Sequence, residues 1–207
     1  MESATVTPQM QHEVRTHGTN VERVSLHIIR DEGTAADAMQ RAQEMYESVI
    51  HKVNARYSPT YACKPGCAHC CAFPVAVAKP EAELIARHVR DTMTPEQIDA
   101  LKARMRAVIQ ERQAGGRPRC AFLGADSLCT IYSIRPLKCR ACNSDDVDPC
   151  QRWENGTDDT ACVRVFMLPR LHAMATVFGV QKALMPGANP RQVPDTELME
   201  TLLTLLG

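Results

Sequence analysis

The chain has 207 residues, 44% of them hydrophobic and 23% charged, with a formal net charge of zero. That is enough chain for a domain with a real core, and it supplies no basic field to attract nucleic acid or an anionic membrane surface. Aromatic residues make up only 4% while the helix formers Ala, Leu and Met are plentiful, which argues against a β-sandwich or barrel, a disordered chain and a membrane protein.

In chain order, residues 1–20 are mostly polar and read as a flexible N-terminal tail carrying His12 and His17. They lack the apolar stretch of a secretory signal, so the expected address is cytoplasmic. Residues 21–207 read as a single helical domain. From Thr34 to Tyr57, Ala38, Ala42, Met45, Val49, Val53 and Tyr57 recur at spacings of three and four, one stripe of an amphipathic helix that Pro59 ends. Phe73–Ala78 reads as a short strand or an extended lead-in. A helix from Pro80 to Met93 follows, with Leu84, Ile85, His88 and Val89 on one side; His88 fits a core histidine better than a ligand.

Thr94-Pro95-Glu96-Gln97 then combines an N-cap, a proline at the first helical position and a capping box. Ile98, Leu101, Met105, Val108 and Ile109 supply the stripe, and Gly115-Gly116 with Pro118 stop it. Residues 117–160 are irregular and show little apolar periodicity, so bound metal is the expected means of ordering them. Pro169 starts a further helix with Leu171, Met174, Ala175, Phe178 and Leu184 as its stripe. Asp195 is the expected cap of a terminal helix bearing Leu198, Leu202, Leu205 and Leu206 on one face, which is expected to dock on the chain's own core in preference to forming a dimer surface.

Ten cysteines dominate the composition: Cys63, Cys67, Cys70, Cys71, Cys120, Cys129, Cys139, Cys142, Cys150 and Cys162. In a reducing compartment, clustering of this kind means metal or redox chemistry rather than a disulfide framework. The first group reads Cys63-Lys-Pro-Gly-Cys67-Ala-His-Cys70-Cys71, and the second spreads from Cys120 through Cys129 and Cys139 to Cys150. Zinc takes four Cys or His ligands and an iron–sulfur cluster takes about four thiolates, so spacing leaves both open. Pairing Cys67-x-x-Cys70 with Cys139-x-x-Cys142 as a zinc ribbon would need a far shorter gap, of roughly 15–20 residues. Adjacent Cys70 and Cys71 point apart in any regular backbone, which suits two adjacent sites or one larger cluster. Lys64, Arg119, Arg135, Lys138 and Arg140 flank the thiols and can offset their charge, with Arg135 and Arg140 expected to be partly buried.

The order Cys-x3-Cys-x2-Cys-Cys, Cys-x-Phe-Leu, then Cys-x-Ile-Tyr-x-x-Arg-Pro-x-x-Cys-Arg resembles the YkgJ-type cysteine-cluster proteins, described as a zinc- or iron-chelating domain. The resemblance implies Cys63, Cys67, Cys70, Cys71, Cys120, Cys129, Cys139 and Cys150 as metal ligands. It leaves out Cys142, which stands where relatives often carry an aromatic or aliphatic residue, and it gives no motif support to Cys162. The implied fold is mainly α, with an irregular cysteine-rich core over about 60–152 packed between amphipathic helices and at most a short strand or two.

Two functions compete. The first is a metal-binding protein holding an iron–sulfur cluster or zinc. The second is an iron–sulfur enzyme using S-adenosylmethionine (SAM), since Cys63-x3-Cys67-x2-Cys70 has radical SAM spacing and flagellin lysine methylases resemble this family. Against the second, no Gly-x-Gly occurs anywhere, the elements read as helices rather than strand–helix repeats, and Cys70-Cys71 is foreign to the radical SAM pattern. Non-catalytic metal binding is therefore preferred. A dithiol redox protein built on Cys67-x-x-Cys70 ranks last for want of a βαβ context. Two structural expectations follow: the cysteine groups meet in space, and metal orders 60–75 and 117–160.

Overall fold

The computed structural model describes residues 6–158 and 165–207. Among them run eight α-helices: α1 (Pro8–Arg30), α2 (Ala35–Tyr57), α3 (Lys79–Thr92), α4 (Pro95–Gln113), α5 (Leu137–Ala141), α6 (Asp148–Glu154), α7 (Met167–Leu184) and α8 (Leu198–Leu206). Two short strands, β1 (Ala76–Val77) and β2 (Thr196–Glu197), pair antiparallel with Ala76 opposite Glu197. The fold is mainly α, as the composition predicts. Where the sequence reads as one domain, the chain divides into two compact units, Met1–Pro59 with Phe166–Pro194 and Thr60–Val165 with Asp195–Gly207.

The first unit is built on α1, α2 and α7. The expected tail over residues 1–20 is corrected here: from Pro8 onward it is the first half of α1. Thr7 caps that helix by accepting from the Met10 N–H, and Pro8 sits at the first helical position. Its inward face is partly polar, with His17, Val21 and Ser25 buried, so no apolar stripe betrays it. In α2, Thr34 and Asp37 form a capping box, and Ser58 in the left-handed region (φ 42°) ends the helix just before Pro59. The buried face of α2 includes Ala38, Ala42 and Val53 of the expected stripe, but Met39, Tyr46 and Ile50 fill it in place of Met45 and Val49.

The stripe expected on α7 is also corrected. Met174 is exposed, and the buried residues include His172, Ala173, Thr176, Gly179 and Val180. The cause is a close backbone approach between α7 and α1. A Cβ on Gly179 would stand 2.7 Å from the Gly18 carbonyl oxygen, and one on Gly18 would stand 3.3 Å from that of Ala175. Only small residues permit this spacing, so α7 turns its small and polar side inward.

The second unit rests on an aliphatic core. Ile85 and Val89 of α3, Leu101, Met105 and Val108 of α4, and Leu198, Met199 and Leu202 of α8 are all buried in one cluster. The α4 start is the one its sequence spells: Thr94 accepts from the Gln97 N–H, and Gln97 accepts from that of Thr94. The cap of α8 is Glu197 rather than Asp195, its side chain accepting from the Met199 and Glu200 N–H groups. Glu197 also pairs with Arg112 at 2.9 Å, which ties the end of α4 to the start of α8.

The irregular segment from residue 117 has more apolar anchorage than its sequence suggests. Phe122 and Ile131 are buried in the same cluster, and Leu137 is fully buried. They are single anchors spaced by turns, so they show no period. No helix among the described residues is long and apolar enough to cross a membrane.

Candidate metal centre

The cysteines lie on turns and short helices of the second unit. Lys64-Pro65-Gly66-Cys67 forms a β-turn closed by the Cys67 N–H donating to the Lys64 carbonyl at 2.9 Å. Pro65 presets the first corner, and Gly66 (φ +84°) takes the left-handed second corner that a type II turn demands. A single 3-10 turn, His69–Ala72, then carries Cys70 and Cys71. With three residues per turn, neighbouring side chains diverge by about 120°.

The second group sits on three small supports. A tight reversal over 122–130 carries Cys129, closed by Gly124 N–H to Leu128 O and Thr130 N–H to Phe122 O, each at 2.8 Å. Cys120 precedes it, and both thiols lie against the aliphatic core. α5 carries Cys139, and its start is held by a buried carboxylate. Glu81 of α3 accepts from the Leu137 N–H at 2.8 Å and from the Ala78 N–H at 3.1 Å. Burial pushes the Glu81 carboxyl up, against those two hydrogen bonds. Buried Arg140 donates to the Arg135 and Ser133 carbonyls, and half-buried Arg135 lies 4.1 Å over the Tyr132 ring. Both arginines are thus withdrawn from solvent, as their flanking positions predict.

Backbone hydrogen bonds bring the two groups together. The Cys120 N–H donates to the Cys71 carbonyl at 2.9 Å, and the Ala62 N–H donates to the Ser144 carbonyl at 2.8 Å. Cys63 accepts at its sulfur from the Ser144 N–H at 3.3 Å. α6, which carries buried Cys150, is latched to the 3-10 turn by a triad of side chains. The Glu154 carboxylate takes the His69 Nδ1 at 2.5 Å, and its other oxygen takes the Arg119 Nε. Burial opposes ionisation of Glu154, but Arg119 and His69 hold its carboxyl below the usual range. Trp153, next to Glu154 on α6, packs against Phe73 (ring centroids 4.0 Å apart) and the Arg117 guanidinium (4.4 Å).

All nine cysteines among the described residues are free thiols; Cys162 lies outside them. The Cys70 sulfur takes hydrogen bonds from the Cys142 and Cys71 thiols, which favour its thiolate. The two donors are raised by that bond and by burial. Burial raises Cys120 to about 11, and burial with the Cys63 and Cys70 thiols raises Cys150 to about 11. Cys67 and Cys129 are also raised, chiefly by burial. Burial and the Cys120 and Cys70 charges push Cys139 up. Crowded thiols that resist ionisation beside one another are stabilised as thiolates once a divalent cation supplies compensating charge.

Cys142 and His69, which the family resemblance leaves out of the ligand set, also stand among these segments. Cys142 touches Cys70 directly, and the Cys139-x-x-Cys142 spacing was the available signal. His69 lies inside the first motif, and only the fold reveals its carboxylate partner. The donor set suits zinc or iron, both of which thiolates bind. As placed, no group of three or more His, Cys, Asp or Glu among the described residues is arranged to hold a metal ion.

The second unit is therefore a cysteine-rich module of short turns on a helical core. Residues 62–163 match the model of the CxxCxxCC family, described as a "Putative zinc- or iron-chelating domain". Over those residues the chain matches that family, whose description supports metal binding by this segment. No curated protein and no solved structure gives a significant match.

Proposed function

We propose that the second unit is a metal-holding module with no catalytic step of its own, in which Cys63, Cys67, Cys70, Cys71, Cys120, Cys129, Cys139 and Cys150 supply thiolates to an iron–sulfur cluster or to zinc. The observation that carries the reading is the joining of separate cysteine segments by two main-chain bonds, Cys120 to Cys71 and Ala62 to Ser144. Main-chain bonds fix the segments without using any thiol, so the sulfurs remain available as ligands. To reach a shared ion the thiols would turn from the hydrogen bonds they now make, by changes of side-chain rotamer.

Donor number favours a centre of more than one metal atom. Eight thiols exceed the four that a single tetrahedral zinc accepts. Adjacent Cys70 and Cys71 diverge on their 3-10 turn, which suits ligation to different metal atoms. A bound centre would add soft cross-links between the segments and, as a cluster, an electron-carrying group. The chain's own residues set its surroundings: Glu81 and Arg140 hold α5, while Glu154 holds His69 and Arg119.

Anaerobic purification followed by iron, acid-labile sulfide and zinc analysis tests this. A brown protein with iron and sulfide identifies a cluster, and a colourless one with stoichiometric zinc identifies a zinc centre. A protein that keeps neither metal, even after reconstitution, overturns the reading.

A further inference from the structure

We propose that Cys70 and Cys142 form a reversible disulfide in the metal-free protein, so that oxidation and metal binding compete for the same sulfurs. The inference rests on the metal-binding reading for its second half only. Cys142 is the one described cysteine to which the family pattern gives no part, yet its thiol is hydrogen-bonded to the Cys70 sulfur. Two residues beyond Cys142, Ser144 is bound to the start of the first cysteine segment, through Ala62 N–H to Ser144 O at 2.8 Å and Ser144 N–H to Cys63 Sγ at 3.3 Å. Cys142 ends α5, where the helix gives way to an extended turn, and both thiols are partly exposed.

Cys71 also touches Cys70, but it is the poorer partner. Adjacent Cα atoms stand about 3.8 Å apart across a trans peptide. An ordinary disulfide spans roughly 4.4–6.8 Å between Cα atoms. A Cys70–Cys142 bond instead joins thiols already in hydrogen-bond contact on separate segments and closes no ring across a single peptide unit.

The oxidant is a low-molecular-weight disulfide such as glutathione disulfide. The Cys70 thiolate attacks one of its sulfurs, forming a mixed disulfide and expelling one small thiolate. The Cys142 thiolate then attacks the Cys70 sulfur, closing the protein bond and expelling the second small thiolate. Two protein thiols are oxidised, one small disulfide is reduced to two thiols, and the two protons pass from the protein to those thiolates. A metal-bound sulfur has already committed the electron pair that this attack requires, so ligation protects the pair and oxidation blocks ligation.

The test uses the full chain, stripped of metal under argon and incubated with glutathione disulfide. Non-reducing digestion and mass spectrometry should find a peptide linked through Cys70 and Cys142, lighter by two hydrogens than its reduced parts. Cys142→Ser should stop at a glutathione adduct on Cys70. The zinc-reconstituted chain should form the link at least about tenfold more slowly, because its thiolates are bound. Linkage through Cys67–Cys70 or Cys139–Cys142, or adducts alone in the unmutated chain, would overturn the pairing. A Cys70–Cys142 link that forms equally fast with zinc present would uphold the pairing and overturn the metal reading beneath it.

Discussion

The two units solve opposite packing problems. The first contains no cysteine, and its buried side chains include His17, Ser25, Gln43, His172, Thr176 and Gln181, set among helices close enough to need glycine at the crossing. The second has an almost wholly aliphatic core, with its polar groups gathered into a few braces: Glu81 under α5, Arg140 behind the 132–134 turn, Glu154 against His69 and Arg119. The comparison teaches where metal matters. In the second unit, packing and hydrogen bonds hold the helices, and the thiols are the groups that a metal would join. The first unit carries no cysteine.

The largest effect that would break this contrast concerns the thiols. Cys70→Ser and Cys71→Ser should each lose bound metal, because a neutral hydroxyl is a poor substitute for thiolate at a soft centre. Chelation should raise amide exchange across residues 61–72 and 139–150, while α1, α2, α3 and α4 keep their protection. Exchange measured with and without chelator decides the matter, and equal loss of protection throughout would show that the scaffold itself depends on metal.

Glu81→Ala comes next. It removes the acceptor from two buried N–H groups at the starts of α3 and α5 and should cost about 2–5 kcal/mol, at the usual penalty per unsatisfied group. Trp153, the single tryptophan of the chain, lies in the second unit and reports its unfolding by fluorescence. The Trp153 urea midpoint should fall sharply, while exchange in α1 and α2 stays as it was. An unchanged midpoint would remove Glu81 as a brace of the cysteine segments.

The same contrast explains which parts were legible in the sequence. Thr94-Pro95-Glu96-Gln97 announced α4 to the residue, because a capping box is local chemistry. The aliphatic stripes of α3 and α4 were equally plain. α1 was hidden because its buried face alternates His17, Val21 and Ser25, and α7 was read on the wrong face because Leu and Met outrank His172, Thr176 and Gly179 on any hydrophobic scale. Tertiary closeness between backbones, which no periodicity records, decided both. The cysteine motifs marked the segments of the candidate site. The contacts of Cys70 with Cys142 and of His69 with Glu154 join residues more than seventy positions apart, and only the fold supplies such pairs.

A smaller effect probes the polar interior of the first unit. Thr176 donates its one hydroxyl proton to the His172 carbonyl at 2.7 Å, so its oxygen must accept from the His17 Nε2–H at 2.8 Å. Burial, and His172 beside it with ring centroids 5.2 Å away, lower His17 from 6.5 to about 4. His172 is likewise lowered by burial, with Glu13 opposing. Because His17 titrates lower in the folded chain, the unfolded chain binds more protons between those two values. The stabilisation is therefore full above pH 6.5 and is lost as pH falls toward about 4. Amide exchange in α1 should quicken over that window while the Trp153 signal of the metal-free chain stays flat. His17→Gln should weaken the pH dependence; an unaltered profile would show that His17 is not the group responsible.

The smallest effect tests the close approach itself, using two glycines that face each other across α1 and α7. A methyl group on Gly179 would meet the Gly18 carbonyl oxygen at 2.7 Å and the Val21 side chain at 2.9 Å. Neither helix can give without moving backbone, so Gly179→Ala should destabilise the first unit by about 1–3 kcal/mol, the ordinary cost of overpacking. On Gly18 the nearest atoms are the Ala175 oxygen at 3.3 Å and its Cβ at 3.4 Å, which a shift of a few tenths of an ångström relieves. Alanine also favours a helix interior by about 1 kcal/mol over glycine. Gly18→Ala should therefore come out near neutral, with Gly179→Ala clearly worse, both read by amide exchange in α1 and α7. Equal, small effects would mean that the helices stand further apart than this packing requires. The polar face of α7 would then lose its explanation, because with room to spare the larger Leu171, Met174 and Phe178 would be the better residues to bury.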